Sequence, residues 1–310
     1  MSGGVQSKIM TAALHHPDFS VVIPTYNHAH FLKRCLESVL DQTLQNWEAI
    51  VVNNFSEDNT IEVVSSFKDS RIRLVNFGNN GIIAASRNHG IKLAEGDYIA
   101  FLDSDDWWYP KKLEVARRFF PGTDIVYHDL DTYTPKGKRF LKKIRGRYLK
   151  KPIFVDLMIN GNPLANSSVV VKKECIDTVG GLNEDKSLVA AEDYDLWLRI
   201  SMKTEEFKYI PEVLGGYWVG GSNLSGMSDY QIGWMGAIID RYASYLNEKD
   251  RKQMEAFISY DRGVFYYRQR LWEKSLKMFK ISLKSERVDI KLKSIFYTVL
   301  IWASFMKTFF

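Results

Sequence analysis

The chain has 310 residues, 45% of them hydrophobic and 14% aromatic, with a net charge of +5; that composition excludes a disordered protein and allows one large core, or one core and a smaller domain. Its two cysteines, Cys35 and Cys175, lie in apolar-patterned contexts, which argues against a disulfide or cysteine-metal framework and for buried thiols in a reducing compartment. The charge is uneven: residues 136–151 hold nine Lys or Arg and no acid, and residues 251–310 hold thirteen basic and five acidic residues.

The first 17 residues contain no apolar run of signal-peptide length and read as a flexible leader, so secretion is not expected. Short apolar runs then alternate with helical patterns: FSVVIPT, a helix, WEAIVVNN, a second helix, RIRLVNF, a third helix and DYIAFLD. That alternation predicts βαβ units, an α/β fold with a mostly parallel sheet sandwiched by helices. The strands are nearly all apolar, as expected when helices cover both sheet faces. In the first helix, Phe31, Leu32, Cys35, Leu36, Val39 and Leu40 share one face, and Asn27 is placed to cap it.

Open α/β sheets bind ligands beyond the carboxyl ends of their strands. Polar clusters sit there: Pro24-Thr25-Tyr26-Asn27, Asn53-Asn54-Phe55-Ser56 and Asp103-Ser104-Asp105-Asp106. Crowded carboxylates repel one another, so Asp103, Asp105 and Asp106 call for a cation, hydrogen-bond donors or solvent. Neither a G-x-G-x-x-G after the first strand nor a G-x-x-x-x-G-K-[ST] occurs, so dinucleotide and P-loop readings lack support. A divalent cation held by one or two carboxylates and phosphate oxygens would take the place of a glycine-rich loop.

Further along, His128, Asp129 and Asp131 are expected just after the fifth strand. The polar turn in GNPLANSSVVVKK, residues 161–173, either lines a site or simply precedes a strand. In AEDYDLWLRI, Asp195 is expected to serve a helix N-terminus ahead of the apolar face of Leu196, Trp197 and Ile200. The histidine pairs His15-His16 and His28, His30 lack acidic or cysteine partners and are expected to face solvent. From Asp229 the pattern is helical, and residues 260–284 look like one helix-turn-helix unit of tetratricopeptide type. The apolar run IFYTVLIWASFMKTFF at residues 295–310 is interrupted by Lys307 and falls short of the roughly 20 residues a spanning helix needs. It suits a membrane interface or packing on the protein, and the two basic regions suit anionic headgroups or a phosphorylated acceptor.

Four blocks in order, VVIPTYNHAHFLKRCLESVLDQT, IVVNNFSEDNT, NNGIIAASRNHGIKLAEGDYIAFLDSDDWW and GGLNEDKSLVAAEDYDLWLRI, resemble family 2 glycosyltransferases of the GT-A fold. The resemblance covers roughly residues 18–225 and implies a GT-A domain at 18–228, with a helical region at 229–310 whose apolar tail could associate with membrane. It implies a metal-dependent, inverting hexosyl or N-acetylhexosaminyl transfer from a nucleoside-diphosphate sugar, with UDP the first choice. The acceptor would be a hydroxyl of a cell-envelope glycan or lipid-linked saccharide.

By that resemblance Thr25 and Tyr26 border base and ribose, Asp103 contacts ribose or metal, Asp105 ligates Mn²⁺ or Mg²⁺, and Asp106 orients water or the loop. Arg87 matches a position that reaches the nucleotide diphosphate, while Asn88 and Gly90 look structural. Asp193 matches the catalytic base, with Glu192 as fallback. Asn162, Asn166 and Ser167 are candidate sugar contacts, with Trp218 a further candidate. Two departures stand out: Asn53 replaces the family's usual acid beside the nucleotide base, and Trp218 and Gly220 stand where arginine and histidine are common. Asn223 and Ser225 agree with the family's polar close of that loop. The implied location is cytoplasmic, peripheral on the inner face of a membrane, with no nucleic-acid partner. Competing readings are a catalytically inactive nucleotide-sugar-binding protein, prompted by the departures, and a nucleotidyltransferase.

Overall fold

The computed structural model describes residues 16–220 and 229–306. Asn223, Ser225, His15 and the last residues of the apolar tail lie outside them. The first half runs β1 (Phe19–Thr25), α1 (Ala29–Leu40), β2 (Trp47–Asn53), α2 (Thr60–Ser66), β3 (Ile72–Asn76), α3 (Ile83–Leu93) and β4 (Tyr98–Phe101). All four strands are parallel, in the order β3-β2-β1-β4. Every residue of β1 and β2 is buried, because successive side chains point to opposite faces and helices cover both. Phe19, Val21 and Ile23 join one core with Leu32 and Leu36 of α1, whereas Val22 joins the other with Ala84 and Ile91 of α3. Gly90 permits the second contact, since a Cβ there would fall 2.6 Å from the Val22 side chain.

The sheet then changes character. After β5 (Trp107–Trp108), α4 (Lys112–Arg117), β6 (Ile125–Thr134), β7 (Gly137–Ile144), α5 (Ile153–Asn160), β8 (Val170–Lys172), α6 (Lys173–Thr178), α7 (Glu192–Ser201) and β9 (Phe207–Trp218), the strand order continues β4-β8-β6-β9-β5. Here β8 is antiparallel to both neighbours, β6 and β9 are parallel, and β7 extends the sheet as an antiparallel partner of β6. The expected α/β fold is therefore present, with its parallel ladder confined to the first half and the β6–β9 pair. Gly215 and Gly216 let β5 close on β9, because a Cβ at Gly216 would lie 2.4 Å from the Trp107 indole.

Three local expectations are corrected. Helix α1 starts at Ala29, and Asn27 adopts φ 52° instead of capping it; its side-chain oxygen accepts from the Glu57 amide at 2.8 Å, while Asp58 accepts from the Ala29 amide. His128, Asp129 and Asp131 lie inside β6 and are buried, because the strand continues to Thr134. His28 is only partly exposed: its Nδ1 is 2.9 Å from the Ser104 hydroxyl.

The C-terminal part comprises α8 (Asp229–Tyr242), α9 (Glu248–Arg268), α10 (Trp272–Ser282) and α11 (Val288–Met306). Met235, Ile238 and Tyr242 of α8 and Met254 and Ile258 of α9 share the apolar core that contains Val22 and Phe101 of the sheet. Helices α9 and α10 form the expected hairpin: Phe279 packs on Gly263, and the Ser275 hydroxyl donates to the Gly263 carbonyl at 2.8 Å. Among the described residues no helix is long and apolar enough to cross a membrane.

Candidate active site

The register places Thr25, Asn53 and Asn76 in one row at the carboxyl edge of β1, β2 and β3. The loops leaving that row, joined by the loop after β4 and the start of α7, enclose a crevice of about 840 Å³. Thr25, Tyr26, Arg87, Asp103, Asp105, Asn162, Asn166, Glu192 and Asp193 all line it. Asn53 and Trp218 do not.

At its centre stand Asp103 and Asp105. Asp103 Oδ1 accepts from Arg87 Nη2 at 2.7 Å and from Asn166 Nδ2 at 3.1 Å. The Asp105 carboxyl has no such partner, and burial together with the Asp103 charge pushes it up to about 6. Asp106 faces the other way: it is buried, its Oδ1 accepts from the Trp218 amide at 2.8 Å, and burial and the two neighbouring acids push it well above the carboxylate range. That bond ties the acidic loop to the end of β9. Trp108 Nε1 donates to the Ser167 carbonyl at 2.8 Å, and Arg34 lies 3.6 Å above the Trp107 ring, so both indoles brace the same loop.

Arg87 lines the crevice while making two ion pairs. It is only 3% exposed, and its second terminal nitrogen, Nη1, donates to Glu192 Oε1. Burial opposes its charge, but Asp103, Glu192 and Asp193 outweigh that and raise it above its usual range. Arg87 thus bridges the acidic loop and the first turn of α7. Asp193, next to the bridged Glu192, accepts only from the Tyr194 amide through Oδ1, and burial and the Glu192 charge push it up to about 7. A carboxyl there can exchange a proton near neutrality. Asp195 does not line the crevice: it sits in the first turn of α7, but its carboxylate pairs with Arg199 at 2.8 Å and accepts from Tyr242 at 2.6 Å.

Four buried polar atoms on crevice-lining residues have no partner: Thr25 Oγ1, Arg87 Nε, Asn166 Oδ1 and Glu192 Oε2. Buried polar atoms are normally hydrogen-bonded, so a polar ligand fits this wall. Asn53 is fully buried; its amide donates to Asn76 at 2.8 Å and accepts from the Ser56 amide and hydroxyl. It supports the loop and does not line the crevice. Asn54, from the polar cluster after β2, and Asn79, which sequence reasoning missed, line the crevice and are joined through the Asn79 amide and Asn54 Oδ1 at 3.0 Å. Trp218 packs on Phe31 with ring centroids 5.2 Å apart, outside the crevice. Asn162 lines it, with its side-chain oxygen accepting from the Leu164 amide at 2.9 Å. His28, Arg145 and Asp261 also line it and were not foreseen as site residues.

The model of glycosyl transferase family 2 matches residues 20–168. The chain is 34% identical over 185 residues to the UDP-Glc:alpha-D-GlcNAc-diphosphoundecaprenol beta-1,3-glucosyltransferase WfaP of Escherichia coli, covering 59% of this chain and 70% of that protein. The chain belongs to glycosyl transferase family 2. It spans 26% to 66% of the length of several other curated glycosyltransferases it matches.

Among solved structures, S. aureus TarS 1–349 in complex with UDP-GlcNAc superposes with a TM-score of 0.60 at 16% identity, over 94% of this chain and 92% of that one. The Pyrobaculum calidifontis mannosyltransferase PcManGT, in complex with GDP-Man and Mn²⁺, superposes with a TM-score of 0.57 at 16% identity, over 93% and 81%. These establish the GT-A fold.

Proposed function

We propose that the protein transfers a hexose or N-acetylhexosamine from a nucleoside-diphosphate donor, UDP first, to a hydroxyl of a glycan or lipid-linked saccharide, inverting the anomeric centre. The observation that carries this reading is the presence in one crevice of the Asp103 and Asp105 carboxyls and of Asp193, a carboxyl pushed up to about 7 by burial and Glu192. WfaP, named for a UDP-glucose donor and a lipid-linked acceptor, supports the substrate classes.

The donor set suits a hard divalent cation. Two partly exposed carboxylates lie at the centre, and among the described residues no group of three or more His, Cys, Asp or Glu is arranged to hold a metal. Mn²⁺ or Mg²⁺ held by Asp105 and Asp103 would complete its shell with diphosphate oxygens and supply positive charge to the leaving group. Thr25 and Tyr26 border the nucleoside, with Asn54 and Asn79 beside them in place of Asn53. Asp193 takes the proton of the acceptor hydroxyl. Arg87 holds Glu192 and Asp103 at a constant separation, so base and donor site move as one body. On this reading residues 18–228 carry the chemistry, and the helical region 229–310 walls the acceptor side and carries the membrane contact on α11. The Asn53 departure gives no support to an inactive binding protein, because that side chain never reaches the crevice.

The test is transfer from a panel of UDP- and GDP-sugars with Mn²⁺, read as released nucleoside diphosphate and as labelled glycan. Asp105→Asn should lose most of the metal-stimulated turnover. Equal turnover in wild type and variant would remove Asp105 from the site.

A further inference from the structure

The same crevice is also walled by apolar side chains: Met158 and Leu164, Met235 and Ile238 of α8, and Phe257 and Ile258 of α9. Phe257 rests against Gly161, where a Cβ would fall 2.7 Å from its ring. One turn along α9 from Phe257, and therefore on the same helix face, is Asp261. Three buried carboxylates of this half of the molecule are satisfied: Asp156 by Arg147, Asp195 by Arg199 and Tyr242, and Asp129 by the Tyr209 hydroxyl and the Gly146 amide. Asp261, partly buried in the crevice wall, has no hydrogen-bond or ion-pair partner among the described residues. The cations nearest to it are turned elsewhere, Arg287 to Asp289 and Asn160, and Lys293 to Asp289. Burial among apolar walls pushes Asp261 up to about 6 against the attraction of Arg287 and Lys293.

We propose that Asp261 and Phe257 form a saccharide subsite for the acceptor, in which the carboxylate accepts hydrogen bonds from ring hydroxyls and the phenyl group packs on the sugar's C–H surface. A carboxylate with free lone pairs beside apolar walls matches a pyranose, which presents both hydroxyls and C–H bonds. An alkyl chain would fill the apolar walls and leave the carboxylate without a donor. The subsite rests on the transferase reading only in being called the acceptor's; the sugar binding itself can be measured separately.

Methyl α-glycosides of glucose and N-acetylglucosamine, titrated into the full chain and followed by ligand-observed NMR, test the proposal with and without UDP. Wild type should bind at least one of them, Asp261→Leu should bind it at least about tenfold more weakly, and Asp261→Asn should fall between. Phe257→Ala should weaken it too, and Phe257→Tyr should restore it. The thermal midpoint of Asp261→Leu should equal or exceed that of wild type, because an unpartnered carboxylate at a ligand site costs stability that a merely structural residue would supply. Failure of wild type to bind either glycoside, equal binding by Asp261→Leu, or a lowered midpoint with unchanged glycoside affinity would each overturn the subsite. Calorimetric titration of UDP reads the donor end separately, so its failure would count against the transferase reading and not against this one.

Discussion

At the donor end of the crevice, Thr25, Asn53 and Asn76 close three parallel strands in one register row, and the polar loops spring from that row. At the end proposed for the acceptor the walls come from α5, α8 and α9, elements up to about a hundred residues apart that meet through packing. The first end is built by backbone pairing, which is indifferent to most side chains. The second is built by side-chain volume, so on the proposed reading the acceptor could change without disturbing the grip on the nucleotide. Between them stands Arg87, which belongs to neither end and joins them.

The largest expected effect is on the joint chemistry. Asp193→Asn should lower the transfer rate by about a thousandfold, the usual range for loss of a general base, with calorimetric UDP affinity within twofold of wild type. A loss of UDP affinity instead would mean that the donor end extends to residue 193, and the two ends would not be separable. Next is the joint itself. Arg87→Met leaves Asp103 and Glu192 facing each other without their shared cation, and removing one partner of a buried ion pair costs about 3–5 kcal/mol. The urea midpoint should fall accordingly; an unchanged midpoint would show that the bridge carries no stability.

A smaller and more diagnostic effect lies in the pH profile. Asp193 must be ionised to accept a proton, and its carboxyl is held up to about 7 by burial and by Glu192. Activity should therefore rise with pH through about 7 and be lost on acidification. Glu192→Gln removes the neighbouring negative charge and leaves Arg87 closer to acting on Asp193 alone, and both changes favour the ionised form. The acid limb of kcat/KM should move to lower pH in that variant. Movement to higher pH, or none, would mean that Glu192 is not what tunes the base.

What the chain disclosed about itself divides along the same line. Strands β1 to β4 and the crevice at their ends were legible because apolar runs, polar termini and intervening helices are local patterns. Asn53 does not line the crevice because its side chain is taken up by Asn76 and Ser56, partners that no local pattern discloses, and Asn54 lines it instead. The role of Arg87 could not be read, since its partner Glu192 is 105 residues away. Asp261 did leave a signal. It stands at i+4 from Phe257 and i−3 from Val264 on the buried stripe of α9, an acid where the helical period calls for an apolar residue.

The smallest expected effect on stability tests the membrane reading. Helix α11 buries Ile290, Ser294 and Ile301, and turns Val288, Leu292, Ile295, Phe296 and Val299 outward, each at least 49% exposed. Lys291 and Lys293 flank that stripe and are exposed as well. An apolar stripe edged by lysines suits the headgroup boundary of an anionic bilayer, where each basic residue adds about 1 kcal/mol and the apolar side chains insert. Because Leu292 and Phe296 pack little of their surface internally, Leu292→Glu combined with Phe296→Glu should change unfolding free energy by no more than about 0.5 kcal/mol. Sedimentation with phosphatidylglycerol-containing vesicles should nevertheless weaken at least tenfold, while purely zwitterionic vesicles should bind wild type poorly. If the double variant sediments like wild type, α11 is not the contact. A drop in stability instead would mean that the stripe already packs against protein, and that the helical region adds its apolar surface to the fold and none to a membrane.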